Sequence, residues 1–524
     1  MSLKMKRRKF IKSTAASLLG LPLALNGMNL SPIRKSALLD ALNPDSDRVL
    51  VLVQLIGGND GLNMLVPLDY YDTLANVRPN VILPENSLES IGFDLAFHPV
   101  MTGARSLFDN AKMGIVQGVA YPDQNRSHFR STDIWTSASP ADQDWTTGWL
   151  GRKLDMEHST YPVDYPNSEN PDPLAIAMGT SVSLTCQGEV GNYSMTLTDP
   201  FNLGQLAAGG DDFIPEGLYG DQLEFVRLTI EQTNAYSERI VDIANQGTNT
   251  VDYPETNLAQ QLKTIALMLS GGSQTRIFVA KIGGFDTHAS QVVEGDTSVG
   301  SHAELLLELS DAIQAFQSDI EGLGLSERVL GLTFSEFGRR IRSNDSFGTD
   351  HGTAAPLMIF GDCVNAGVFG DNAEILPDVG TGDGVAMQFD FRDIYGTILQ
   401  DWFELEESTV KELIHEDYIH LPILQDCSDD PVNTSTVLDL DMDLSLFPNP
   451  ARDYVYAEFR SEDERVALTV FDAEGRLMEQ VMDRSLTAGS HRIRIDISTY
   501  PPGNYFVRIV TKGLRQKAKV FVKV

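Results

Sequence analysis

The sequence predicts an α/β protein: a doubly wound, mostly parallel sheet followed by a small antiparallel β-sandwich. Three observations predict it. Short, uniformly apolar runs recur through the first four-fifths of the chain, with helix-period segments between them, the pattern of strands buried on both faces. Beyond about residue 443 the texture changes to alternating runs separated by turn clusters, the pattern of a half-buried antiparallel sheet. The 524 residues also exceed what one ordinary domain needs.

Composition narrows the class before any motif does. With 42% apolar and 22% charged residues the chain is globular, neither disordered nor a polytopic membrane protein. Its 40 Lys+Arg against 73 Asp+Glu leave a formal charge of −33, which repels phosphate backbones and argues against a nucleic-acid partner. Three cysteines, Cys186, Cys363 and Cys427, are too few for a disulfide scaffold, though one disulfide is compatible with them.

In chain order, residues 1–45 read as a leader. KMKRRKFIK (4–12) is basic, and STAASLLGLPLAL (13–25) is apolar but too short for a stable membrane span. Arg7-Arg8 resembles a twin-arginine signal, which implies the twin-arginine translocase as a partner.

Residues 46–425 hold the expected α/β domain. RVLVLVQLI (48–56) runs into GGND and so to Asn59 and Asp60. GIVQGV (114–119) leads toward NRSHF. RIFVAKI (276–282) is followed by GGFDTH, giving Asp286 and His288. RVLGLTF (328–334) is followed by SEFG, giving Glu336. GTDHGTAAPLMIFG (348–361) places Asp350 and His351 ahead of another apolar run. If that run lies antiparallel to the rest, these two residues reach the same sheet edge. ELLLELSDAIQAFQSDI (304–320) sets Leu305, Leu309, Ile313, Phe316 and Ile320 on one helical stripe. In such sheets ligands gather beyond the carboxyl ends of the strands. Carboxylates and imidazoles delivered there suit a divalent cation, whereas each acid alone reads equally as a helix cap.

Residues 426–443 form an acidic, Ser/Thr-rich linker, and residues 444–524 the β-sandwich. The expected strands include YVYAEF, VALTVFD, HRIRIDI, NYFVRIV and KAKVFVKV, with turns such as AEGR and YPPGN between them.

Two family resemblances sit on these motifs. LSLFPNPARD, VFDAEGRLM, LTAGSHRIRIDIS and PPGNYFVRI together resemble the type IX secretion C-terminal sorting domain of Bacteroidetes. That resemblance implies the type IX secretion machinery as a partner and export through the periplasm to the cell surface or medium. LVQLIGGNDGLNMLVPL, NRSHFRSTDIW, GWLGRKLD, GGFDTHASQ, TFSEFGRRIRSNDSFGTDHGTAAPLMIFG and DFRDIYGTILQDWF, spanning 48–403, resemble the domain-of-unknown-function 1501 family. This looks like a branch of the alkaline phosphatase and sulfatase superfamily, whose members hydrolyse or transfer phosphate and sulfate esters with one or two divalent metals. No settled activity comes with the family itself.

The resemblance implies an alkaline phosphatase-like sheet and one or two divalent ions, with Zn, Mn, Mg and Ca all open. Asp60, Asp286, His288, Glu336, Asp350 and His351 are the implied ligands. Phe337 stands where the superfamily carries a histidine, which weakens one metal position. Ser127 is the candidate nucleophile or simply a helix cap, with Ser131 and Thr132 one turn on. His128 is a candidate general acid, ligand or structural histidine, and Arg130 joins these two as a catalytic candidate. Asn59, Arg126, Arg152 and Arg339 are candidates for holding an anionic ester, and Arg340 flanks them; salt bridges would explain several of these arginines equally. The expected function is an exported metal-dependent hydrolase of phosphate or sulfate esters. The alternative is a non-catalytic surface or secreted protein on the same fold with at most one structural metal.

Overall fold

The computed structural model describes residues 47–203, 233–425, 427, 444–461, 464–472, 477–511 and 516–524. The expected leader 1–45, nearly all of the linker 426–443 and the AEGR turn lie outside the described residues. The chain separates into two compact units, one reaching to Ser428 and the other holding Asp429–Val524.

Among the described residues of the first unit, nine strands form one sheet. They are β1 Val49–Ile56, β2 Met113–Ala120, β3 Ala175–Met178, β4 Ser194–Leu197, β5 Ile277–Gly283, β6 Val329–Phe334, β7 Ala355–Phe360, β8 Gly367–Phe369 and β9 Phe389–Asp390. Their order is β8-β2-β7-β6-β1-β5-β3-β4, with β9 also pairing β2. The strands β6-β1-β5-β3-β4 run parallel, while β7 is antiparallel to both β6 and β2. The central strands are buried on both faces, as their mostly apolar sequences require.

This topology positions the site. The carboxyl ends of β1, β2, β5 and β6 share one edge, and because β7 is reversed, its start and the preceding Asp350-His351 belong to that edge too. The helix Ser301–Gly322 buries Leu306, Leu309, Ala312, Ile313, Phe316 and Ile320, while Leu305 is only partly covered. The stripe expected from the sequence therefore starts one residue later. Trp135 and Trp149 stack in the core on Phe391 and Tyr395 respectively. Cys363 and Cys427 form a disulfide, and the free Cys186 is buried.

The second unit consists of two antiparallel sheets. One holds Ser445–Phe447, Tyr454–Ser461 and Gly489–Asp496; the other holds Glu464–Asp472, Leu477–Leu486, Gly503–Thr511 and Gln516–Lys523. Alternate residues such as Val455, Phe459, Val466, Leu468, Val507, Ile509 and Phe521 fill one shared core. Leu477–Leu486 was not among the strands read from the sequence; its Glu479, Gln480, Asp483 and Arg484 break up the apolar signal.

Candidate metal centre

Each side chain of the centre arrives on a turn that follows or precedes a strand. After β1 the chain bends through Gly57 and Gly58, both at positive φ. Neither accepts a side chain: a Cβ on Gly57 would run into the Asp286 backbone nitrogen, and one on Gly58 into the Phe337 ring. These glycines let the β1 turn lie against the β5 and β6 turns. After β2 the loop reaches Ser127, which caps the helix His128–Ser137 in an extended conformation without its hydroxyl making a capping bond.

His128, Asp286 and His351 offer ligand atoms that all lie within 4.8 Å of one another, a group that could hold a metal ion. Asp286 Oδ1 is the hub. It lies 3.4 Å from His128 Nε2, 3.2 Å from His351 Nε2 and 3.2 Å from His288 Nε2. His288 Nε2 is in turn 2.8 Å from His351 Nε2. Behind each imidazole an acceptor faces Nδ1: Glu336 for His128 at 2.8 Å, Asp350 for His288 at 2.9 Å, and the Arg126 carbonyl for His351 at 2.9 Å. Such partners fix ring orientation and turn Nε2 inward. Phe337 packs against His128 and His351, with ring centroids 4.9 and 4.7 Å away.

The fully buried Arg339 holds the hub from below. Its guanidinium donates to Asp286 Oδ1 at 2.7 Å and to the carbonyls of Gly57, Gly58, Phe285 and Thr349, tying three turns together. Partial burial alone would raise the Asp286 pKa, but Arg339, by its hydrogen bond and its charge, brings it down to about 2. Partial burial likewise opposes ionisation of Asp350, and bonds from His288 and Asn344 hold it below the ordinary carboxylate range. Burial pushes the His351 imidazole below its usual value.

The donor set fits a divalent ion. His128 Nε2 is buried with no hydrogen-bond partner, and it faces a carboxylate oxygen and a second imidazole. A bare nitrogen in that setting is costly unless something positive lies against it.

Other candidates from the sequence are placed differently. Asp60 does not join the cluster. Its carboxylate, 1% exposed, accepts from the fully buried Arg78 and from Gln291 Nε2 at 2.6 Å. Burial opposes its ionisation, but Arg78 and His302 hold its pKa below the usual value. Glu336 is oriented away from the hub because its Oε1 accepts from the Gly57 N–H at 2.9 Å as well as from His128. Asn59 is buried and accepts from His302. Arg130 donates to the carbonyls of Ala141 and Gln143 and pairs with Asp144; Arg152 donates to those of Ser137, Thr147 and Leu413. Both arginines clamp loops. Ser131 is a buried strut bonded to the Glu336 carbonyl and to Tyr121. At the rim remain the exposed Ser127 and two half-buried arginines. Arg126 donates to the Gly382 carbonyl, and Arg340 pairs with Asp350 at 3.3 Å. Burial together with the nearby Arg340 charge lowers the Arg126 pKa. The residues that sequence reasoning missed are Arg78, Gln291 and His302; Gln291 closes the GGFDTHASQ motif after β5, whereas Arg78 and His302 lie outside the strand-end motifs.

Residues 227–413 match the family model described as "Protein of unknown function (DUF1501)", and residues 445–523 match the "Secretion system C-terminal sorting domain". No curated protein matches the chain. Among solved structures, a protein in the alkaline phosphatase superfamily from Vibrio parahaemolyticus is 10% identical, covers 91% of each chain and has a TM-score of 0.31. The phosphonate monoester hydrolase from Silicibacter pomeroyi is 9% identical over 91% of this chain and 89% of its own, also with a TM-score of 0.31. An immunoglobulin-like β-sandwich protein of the DUF3244 family from Bacteroides vulgatus is 19% identical, covering 16% of this chain and 83% of its own, with a TM-score of 0.13. Among the described residues no helix is long and apolar enough to cross a membrane. The sorting-domain match indicates export to the cell surface or medium by the type IX secretion machinery. The chain thus matches the model described as "Protein of unknown function (DUF1501)" over a central region and the secretion sorting-domain model over its C-terminal region.

Proposed function

We propose that the protein is an exported metal-dependent hydrolase of phosphate or sulfate esters. The observation that carries this reading is the convergence of His128 Nε2 and His351 Nε2 on Asp286 Oδ1 at a sheet edge. These residues would hold a divalent ion, which when bound supplies Lewis acidity toward an ester oxygen and lowers the pKa of a coordinated hydroxyl.

The chain's own groups have definable tasks. Ser127 offers an exposed hydroxyl free of capping, between Arg126, whose carbonyl anchors His351, and His128. It is the nucleophile in this reading: its oxygen gives up its proton to solvent and bonds to phosphorus or sulfur as the ester bond breaks and the leaving oxygen takes a proton from water, and a water molecule then cleaves the Ser127 ester to restore the hydroxyl. The helix behind it has unpaired first-turn N–H groups that favour an anion at that end. Arg126 and Arg340 bring two positive charges to the rim, and Arg339 fixes Asp286 from beneath. With aryl phosphate and aryl sulfate esters as probes, Ser127→Ala, Asp286→Ala and His351→Ala should each reduce turnover by about 10²-fold or more. Wild-type turnover that persists in Asp286→Ala would refute the reading.

One observation favours a second reading, a non-catalytic surface-delivered protein with a single structural metal. Asp60 and Glu336 are both engaged within the protein and leave ligands for one ion. Bound metal with no turnover on either ester class would select it.

A further inference from the structure

One side chain beside the centre sits where folding alone gives no reason for it. Phe129 is 87% exposed, the most exposed large apolar residue among those described; the next, Val190, is at 64%. Scattered apolar side chains on a surface are ordinary, but a phenyl ring left almost wholly in water forgoes most of its burial energy. Its neighbours on the helix His128–Ser137 are all engaged. His128 turns inward to Glu336 and Asp286, Arg130 pairs with Asp144 at 2.6 Å, and Ser131, Ile134 and Trp135 are buried. These contacts fix the helix, while Phe129 and Asp133, one turn apart, face solvent. Side chains on a helix lean toward its N-terminus, and Phe129 is only the second residue of this one. Its ring therefore leans toward the helix end that carries the exposed Ser127.

We propose that Phe129 is a platform for the organic part of the substrate, and that the substrate is an ester whose alcohol carries a flat ring with an apolar face, an aryl group or a pyranose. The inference rests on the hydrolase reading and adds the substrate's class to it. Chemistry divides along this helix end. Arg126 and Arg340 bring charge for the ester's anionic oxygens, Ser127 brings the reacting hydroxyl, and two residues on Phe129 offers an apolar face. A ring laid on that face removes apolar area of both partners from water and adds the attraction between stacked or edge-on rings. The phenyl group meets no reacting atom, so its contact is the same in ground and transition states. It therefore acts on KM and not on kcat. An ester of methanol has nothing to lay on it.

The test uses the full chain, supplied in turn with Zn²⁺, Mn²⁺, Mg²⁺ and Ca²⁺, and reads phosphate or sulfate released from phenyl, glucose 6- and methyl esters. In Phe129→Ala the ratio of kcat/KM for a ring-bearing ester to that for the methyl ester should fall about 10-fold or more, through KM. Phe129→Trp, which keeps an aromatic face, should restore the ratio. The ring ester that shows the larger fall, phenyl or glucose, identifies the ring the platform takes. An equal loss on ring and methyl esters, a loss confined to kcat, or an unchanged ratio would overturn the platform and leave the hydrolase reading standing. No release from any of these esters by the wild-type chain would overturn both.

Discussion

Asp60→Asn separates the role implied by family resemblance from the one the fold assigns. Asp60 is 1% exposed and its partner Arg78 is fully buried. Arg78 Nε and Nη1 have no hydrogen-bond partner among the described residues, so the guanidinium depends on this one carboxylate for its counter-charge. Asparagine keeps the shape and an acceptor for Gln291 but leaves the cation in a dry interior. Breaking a buried pair in this way costs about 3–5 kcal/mol. Replacing both partners, Asp60→Asn with Arg78→Met, removes the stranded charge and two orphan donors, and should recover all but about 1–2 kcal/mol. All four tryptophans, at positions 135, 145, 149 and 402, lie in the first unit, so urea unfolding followed by tryptophan fluorescence reports that unit alone. Metal content of the folded single variant should equal that of wild type. A variant that keeps its stability and loses its metal would refute the reasoning and restore Asp60 as a ligand. Failure of the double variant to recover would refute the charge argument.

The remaining predictions probe positioning and stability. Glu336→Gln should weaken metal affinity about 10–100-fold by loosening His128, with Glu336→Asp partly rescuing it; unchanged affinity would remove Glu336 from its orienting role. Burial pushes the His98 imidazole down to about 3 and His302 to about 4. The unfolded chain therefore takes up protons near pH 6.5 while the folded chain does not, so stability is full above 6.5 and falls as pH drops toward those values. At pH 5 the loss should be about 2 kcal/mol per histidine, and urea midpoints independent of pH between 7.5 and 5 would contradict it. The Cys363–Cys427 disulfide spans 64 residues, and its removal by Cys363→Ala with Cys427→Ala should cost about 4 kcal/mol on loop entropy, read as a lower midpoint. Gly58→Ala should push the Phe337 ring toward His128 and His351 and weaken metal binding; wild-type affinity in this variant would show that the ring does not brace them.

Much of the fold was legible because burial writes itself into composition. β1, β2, β5 and β6 are predominantly apolar runs that suit strands covered on both faces, and their ends mark one edge. The reversed β7 was legible only as a condition, since an apolar run carries no direction. The short strands β3 and β4, of which β4 is the sheet edge, gave no signal at four residues each. At the centre, sequence could place Asp286, His288 and His351 near a common point but could not tell a ligand from its support. Glu336 and Asp60 follow strands in the same way Asp286 does. What distinguishes them is where each carboxylate finds its hydrogen: a backbone N–H at Gly57, or a guanidinium at Arg78, 18 residues along in a loop. The arginines mislead for a related reason. Arg130 satisfies carbonyls of an irregular segment and Arg152 those at the ends of two helices, and no local pattern marks which distant side chain will reach them.

The centre is therefore a property of the tertiary fold rather than of any motif. Its donors come from turns after β2 and β5 and before β7, and each imidazole is aimed by a group from another turn: Glu336 after β6, Asp350 before β7, the Arg126 carbonyl after β2. Arg339 binds the β1, β5 and β7 turns into one body, and Gly57 and Gly58 permit the approach that lets it do so. None of these contacts exists in the unfolded chain, so any ion bound by this set draws its affinity from the folded sheet and stabilises that sheet in return. The buried Asp60–Arg78 pair belongs to the same logic. It supplies a fixed internal charge pair beneath the edge, joined through Gln291 to Thr349 beside Asp350, and so braces the turn that delivers His351.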